Sequence, residues 1–129
     1  MTEAETSSLA RHFFDSIERG DTDAVIGCYA DDAVIWHNTD NVEQTPEDNR
    51  RTLGGFICFM PYRAYENRRL TVFPGGFAHQ HDLVVRNAKG GEAIMRACLI
   101  CAVADGKITR LDEYMDSADN DAIVKLASA

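Results

Sequence analysis

No run of about eighteen apolar residues occurs in this chain, which leaves no candidate for a membrane-spanning helix. Positive charge is scarce: 13 Lys and Arg stand against 21 Asp and Glu, a formal net charge of −8 over 129 residues. That balance argues against nucleic acid and against anionic membranes as partners. The opening Met-Thr-Glu-Ala-Glu-Thr-Ser-Ser is acidic and polar, the opposite of a signal peptide, and a cytoplasmic protein is expected. Repeats, linkers and low-complexity segments are missing too. Residues 1–129 therefore read as one domain, long enough to bury roughly two-thirds of its unfolded surface.

The four cysteines offer neither a redox pair nor a zinc site. Cys98 and Cys101 form a C-x-x-C, but inside Ile94-Met-Arg-Ala-Cys-Leu-Ile-Cys-Ala-Val103, which reads as a strand. Positions three apart on a strand point to opposite faces, so these thiols cannot share a metal or close an unstrained disulfide. With Cys28 and Cys58, they read as free thiols in apolar sequence.

What is present is a set of helices followed by strands. Thr6 or Ser7 caps a predicted helix running to about Arg19 and ended by Gly20, with Leu9, Phe13, Phe14 and Ile17 on its apolar face. His12 lies beside that face and reads as a surface residue. Asp21 or Thr22 caps a second helix, 23–30, carrying Val25, Ile26 and Tyr29. Asp31-Asp32 breaks it, Ala33 to Asn38 forms a strand, and Thr39 to Thr45 reads as polar loop. Pro46, Glu47 and Asp48 announce a third helix, which runs to about Phe59 with Leu53, Phe56, Ile57 and Met60 on its apolar side and Gly54-Gly55 as a soft middle.

Four strands follow: Tyr62 to Phe73, Phe77 to Arg86, Glu92 to Ala104 and Lys107 to Met115. Pro74-Gly75-Gly76, Asn87 to Gly91 and Asp105-Gly106 separate them. The tail from Ser117 can add a last turn or two of helix. The fold class is α+β, three N-terminal helices packed on one side of a mostly antiparallel sheet. Ala93 to Val103 is apolar on both faces, and helices cover only one. A second copy of the chain on the open sheet face, giving a homodimer, is the expected cover.

The central stretch is Gly76-Phe-Ala-His-Gln-His-Asp-Leu-Val-Val-Arg86. His79, Gln80 and His81 lead directly into Asp82, and a carboxylate on a buried strand needs a partner. Asp82 is read as lining the floor of a small-molecule pocket. Its alternative is an ion pair with Arg96 across the sheet, with Glu113 paired to Arg110 or Arg86. The histidines do not amount to a metal site: His79 and His81 would need a third ligand from His37 or a carboxylate.

Arg19-Gly-Asp-Thr-Asp-Ala-Val, Tyr29-Ala-Asp-Asp-Ala-Val-Ile-Trp-His-Asn38 and Asp105-Gly-Lys-Ile-Thr-Arg-Leu-Asp-Glu-Tyr-Met-Asp116 resemble the cone-shaped folds named after nuclear transport factor 2. The likeness covers nearly the whole chain. More narrowly it points to the SnoaL-like branch, which includes polyketide cyclases, near the limonene epoxide hydrolases. It implies a curved sheet and helices enclosing an apolar cone, with Trp36, Asn38, Asp82 and Glu113 projecting inward. Strand parity groups Trp36 with Asn38, Gln80 with Asp82, and Leu111 with Glu113 and Met115. It puts His37, His79 and His81 on the opposite faces, unless a bulge shifts the register.

Aligned with ketosteroid isomerases, the base position holds Asn38, the tyrosine position Phe13, and the second acid falls near Ala97 or Cys98, so that mechanism is not expected. Aligned with limonene epoxide hydrolases, the water-activating aspartate falls on Asp82, the epoxide-protonating acid on Glu113 and the water-orienting asparagine on Asn38. Trp36 replaces a tyrosine, and Gln80 replaces the arginine between the acids. A neutral Gln80 cannot offset two charges, so Asp82 and Glu113, if adjacent, would share a proton and serve as base and acid. The implied function is cofactor-free acid–base catalysis on a small apolar substrate, with Tyr29, Phe13, Phe56, Leu111 and Met115 helping to line the pocket. The alternative is a binding module that turns nothing over. Catalysis by this pair requires Asp82 and Glu113 to lie together inside the cone.

Overall fold

The computed structural model describes residues 1–129. Helix α1 (Glu3–Arg19) begins earlier than expected, because Thr2 and Glu5 close a reciprocal capping box and leave Thr6 inside the helix. Gly20 ends α1 at φ 73, a left-handed conformation that costs a glycine little. Asp21 caps α2 (Thr22–Gly27). Strand β1 (Tyr29–His37) starts where the second helix was expected to continue, and Asp31-Asp32 sit exposed on it rather than breaking the chain. The expected loop contains a short strand, β2 (Val42–Gln44).

Helix α3 (Pro46–Phe59) follows a second capping box, Thr45 with Asp48. Next come β3 (Tyr62–Phe73), β4 (Gly76–Arg86), β5 (Glu92–Ala104) and β6 (Lys107–Met115), close to the expected bounds. Asp105 and Gly106 both take positive φ (52 and 78), the turn that suits a tight hairpin. The tail is more than a turn or two of helix. It forms α4 (Ser117–Ala127), capped by Asp116, so the three expected helices become four.

The strands form one six-stranded sheet in the order β2-β1-β6-β5-β4-β3. All pairs are antiparallel except β1 with β6, where the chain returns after passing through the rest of the fold. Helices cover one face. Phe13, Phe14 and Ile17 of α1 pack with Ile35, Phe77, Leu99, Cys101 and Leu111 from the sheet. Ile123 of α4 joins Met60, Leu83, Val85, Met95 and Ala97 in a second cluster. Cys98 and Cys101 do take opposite faces, and all four cysteines are free. No helix is long and apolar enough to cross a membrane.

Arg63, on β3, ties the helices to the sheet. Its guanidinium donates to the carbonyls of Ile17 (3.0 Å) and Glu18 (3.1 Å) at the end of α1, and to Ile57 (3.3 Å) and Met60 at the end of α3. Helix ends leave such carbonyls without an i+4 partner, although that of Ile17 also accepts from the Gly20 N–H (3.0 Å). Gly20 leaves room for the group, since a Cβ there would stand 2.9 Å from Arg63 Nη2. Arg63→Met should therefore lower unfolding stability by about 3 kcal/mol in denaturant titration, and Arg63→Lys should recover only part, having no planar fork. A loss below about 1 kcal/mol for Arg63→Met would mean that water serves these carbonyls equally well.

Candidate functional site

Side chains alternate along a strand, so one inward residue fixes the rest. On β6, Leu111, Glu113 and Met115 face the helices; on β1, Ile35 and His37 do. On β4 the buried residues Phe77, His79, His81, Leu83 and Val85 share that face. Between the sheet, α1, α3 and α4 lies a cavity of about 670 Å³. Phe13, Tyr29, Phe56, Leu111, Glu113 and Met115, all expected at the pocket, line it.

The parallel register sets His37 directly opposite Glu113. His37 Nε2 lies 3.1 Å from Glu113 Oε1, with the two side chains only 19% and 15% exposed. Burial opposes a charged imidazole here. The hydrogen bond that His37 donates to Glu113, the charge of Glu113 and that of Asp40 outweigh it, and the His37 pKa is raised above 6.5. A neutral His37 that donates from Nε2 keeps a bare lone pair on Nδ1, so Glu113 selects the tautomer and orients the ring. At the same end of the cavity the Tyr29 hydroxyl donates to Asn49 Oδ1 (3.1 Å), and Asn49 Nδ2 to Gln44 Oε1 (3.4 Å). Burial above all pushes the Tyr29 phenol well above its ordinary pKa.

His79 and His81 face inward but are sealed beneath α1. His79 stacks on Phe14 with ring centroids 3.8 Å apart, and the two Nδ1 atoms lie 3.0 Å from each other. One must donate while the other accepts, so the two Nδ1 atoms carry one proton between them. Burial, then the neighbouring His81, brings His79 down to about 3. Burial likewise brings His81 to about 4, against the pull of Glu113. No group of three or more His, Cys, Asp or Glu side chains is placed to hold a metal ion.

The expected partner of Glu113 is elsewhere. Asp82 points out of the opposite sheet face, where its Oδ1 lies 3.7 Å from Arg96 Nε and its Oδ2 accepts from Asn67 (2.8 Å). Its ion-pair alternative holds, whereas that of Glu113 does not: Arg86 pairs with Glu92, and Arg110 with Glu43 and Asp112. Asn38, expected to orient water, spends its amide on the backbone of Met115, donating to its carbonyl and accepting from its N–H (both 3.0 Å). Trp36 lies outside, edge-on to Tyr114 and donating to Asn41 (2.8 Å). Gln80 is exposed; with Asn38 and Asp82 it borders an open groove on the outer face.

The physical reason is the two-residue period: a shift of one position exchanges the faces. The usable signal lay in the apolar neighbours. Phe77, Leu83 and Val85 share parity with His79 and His81, and Ile35 shares it with His37, marking those histidines as inward. Sequence reasoning missed His37 as a site residue for this reason.

These features define the cone of the nuclear transport factor 2-like fold, helices and a curved sheet around one cavity. Residues 10–111 match the family model described as the SnoaL-like domain, and the chain belongs to that family. Similar solved structures include a candidate SnoaL-like polyketide cyclase from Shewanella putrefaciens CN-32, with 12% identity, TM-score 0.80, and coverage of 98% of this chain and 99% of that one. A candidate hydroxylase from Streptomyces galilaeus gives 15% identity and TM-score 0.83 over 99% of this chain and 84% of that one. An epoxide hydrolase from M. tuberculosis, of the type related to limonene epoxide hydrolase, gives 16% identity and TM-score 0.77 over 98% and 94%. No curated protein matches. At such identities the likeness is one of fold.

The raised His37 pKa is testable by itself. Followed by NMR, the wild-type ring should lose its proton above pH 6.5. Glu113→Gln removes the raising influences of that carboxylate and leaves burial, so the midpoint should fall. An unmoved midpoint would show that the two groups are not coupled.

Proposed function

We propose that this protein is a cofactor-free acid–base enzyme that isomerises or cyclises a small, largely apolar carbonyl compound, with His37 as the proton-transfer group and Glu113 orienting it. The observation that supports this reading is the 3.1 Å His37–Glu113 contact inside the apolar cavity. A base held by a carboxylate, with a pKa near the working pH, suits removal and return of a C–H proton beside a carbonyl. The proton leaves carbon for His37 Nδ1 and returns to a different atom of the substrate, so no oxidant or cofactor is consumed. Epoxide opening in the manner of the limonene enzymes is disfavoured, because its water-activating aspartate was expected at Asp82, outside the cavity.

The direct test is hydrogen–deuterium exchange at the α-carbon of a panel of enolisable ketones in D₂O, which requires no knowledge of the product. His37→Asn and Glu113→Gln should each slow exchange by about 10²–10⁴-fold, and Asp82→Asn should leave it unchanged. Dependence on Asp82 rather than His37 would overturn the assignment. A second reading, a binding module, is favoured by the separation of Asp82 from Glu113. It predicts ligand capture in the cavity with no exchange in any variant.

We also propose that a second copy covers the outer sheet face. Ile94, Ile100 and Tyr114 are 38%, 46% and 47% exposed there, among opposite charges such as Asp82 and Arg96 that a two-fold axis can set against one another. Sedimentation should give a dimer for the wild type and a monomer for Ile100→Glu. A wild-type monomer at high concentration would contradict this.

A further inference from the structure

Two tyrosines line the cavity, Tyr29 buried and Tyr65 half-buried, and they are not equivalent. The Tyr29 hydroxyl is spent on Asn49. Tyr65, on β3, uses its backbone N–H on Glu18 (2.7 Å) and its carbonyl on Arg68 (3.2 Å), but its hydroxyl meets no protein partner. Nor is that hydroxyl sealed in: Nε2 of His81 is the single fully enclosed side-chain polar atom without a hydrogen bond. The Tyr65 hydroxyl therefore opens on the cavity that the residue lines.

The ring is held on two sides. Phe14 packs edge-on with centroids 5.1 Å apart and His81 edge-on at 4.6 Å, so the phenol has little freedom to swing away. Burial, and then the charges of Glu113 and Glu18, raise the Tyr65 pKa far above the ordinary phenol value. The group therefore stays an O–H donor and does not act as a base. Tyr65 and Glu113 both line the same cavity. In strand order, β1, which carries His37, and β3 are four spacings apart. That is about 19 Å between backbones on a flat sheet, and less on a curved one. Both side chains line the cavity that lies between them.

We propose that Tyr65 is a further catalytic residue of the site, hydrogen-bonding the substrate's carbonyl oxygen from across the cavity while His37 and Glu113 face the adjacent C–H. This rests on the acid–base reading above and deepens it by naming the substrate class: a flat, mostly apolar carbonyl compound whose oxygen accepts one hydrogen bond. When His37 Nδ1 takes the α-proton, the C–H electron pair becomes the C=C bond and the carbonyl π pair moves to oxygen. Tyr65 O–H stabilises that oxygen as charge builds, and the proton returns to another carbon of the conjugated system. A rigid donor needs no reorganisation at that moment, which makes it more effective than water in the same place.

Flat phenols resemble the enol, so 2-naphthol and its hydrocarbon counterpart naphthalene separate the hydrogen bond from apolar packing. In fluorescence titration, Tyr65→Phe should weaken 2-naphthol by about ten-fold or more and leave naphthalene within about two-fold. In the ketone exchange assay it should lower kcat by about 10²-fold with little change in KM. Equal 2-naphthol binding by wild type and Tyr65→Phe, with exchange unchanged, overturns the Tyr65 assignment and leaves the His37–Glu113 reading standing. A matching loss of naphthalene overturns it as well, because the ring is then only packing. Failure of wild type to bind either probe overturns both readings. Exchange that survives His37→Asn yet falls in Tyr65→Phe overturns the base assignment alone.

Discussion

Parallel pairing of β1 with β6 places His37 directly across from Glu113, and their shared inward parity puts the pair over the cavity. Neighbouring strands lie about 4.8 Å apart, so a side chain and its direct cross-strand neighbour meet without any loop having to position them. Two groups carried on adjacent strands of a packed sheet are held more closely than groups on loops, as proton transfer over short distances requires. The order β2-β1-β6-β5-β4-β3 puts Tyr65 on the far edge strand, where its side chain lines the same cavity as that pair.

The cavity separates acidic from neutral groups by environment. The His37–Glu113 pair retains some exposure, and the carboxylate holds the histidine's pKa above its ordinary value. One layer away, His79 and His81 are enclosed by Phe14 and Tyr65 and held neutral, so they add no positive charge that would stabilise a phenolate at Tyr65. They serve as polar packing that satisfies one hydrogen bond between themselves. The motif singled out in the sequence thus yields a packed histidine pair on β4, apart from His37 and Glu113 on β1 and β6.

The order of elements was legible because turns and caps carry local signals: Gly20, Pro46, Pro74-Gly75-Gly76 and Asp105-Gly106 all mark boundaries in the structure. Strand β2 is too short to show a period, and α4 follows a polar tail whose apolar face emerges only on packing against the sheet. The cavity residues Phe13 and Phe56 were readable from the helical period of their apolar neighbours, and Leu111, Glu113 and Met115 from their shared strand parity. Asp82, Gln80, Asn38 and Trp36 were misplaced because charge drew the assignment while Phe77, Leu83 and Ile35 indicated the other face. Arg63 and Tyr65 could not be found from sequence: their roles depend on which carbonyls, and which empty space, the tertiary fold brings to them.

The most direct measurement is the ¹⁵N spectrum of the imidazole rings, recorded above the His37 titration with and without a flat phenol. The account predicts the Nε2–H tautomer for His37, with its Nδ1 signal shifting when ligand binds and the His79–His81 pair staying neutral in opposite tautomers. An Nδ1–H tautomer at His37, or ligand shifts confined to residues around Asp82 on the outer face, would contradict it.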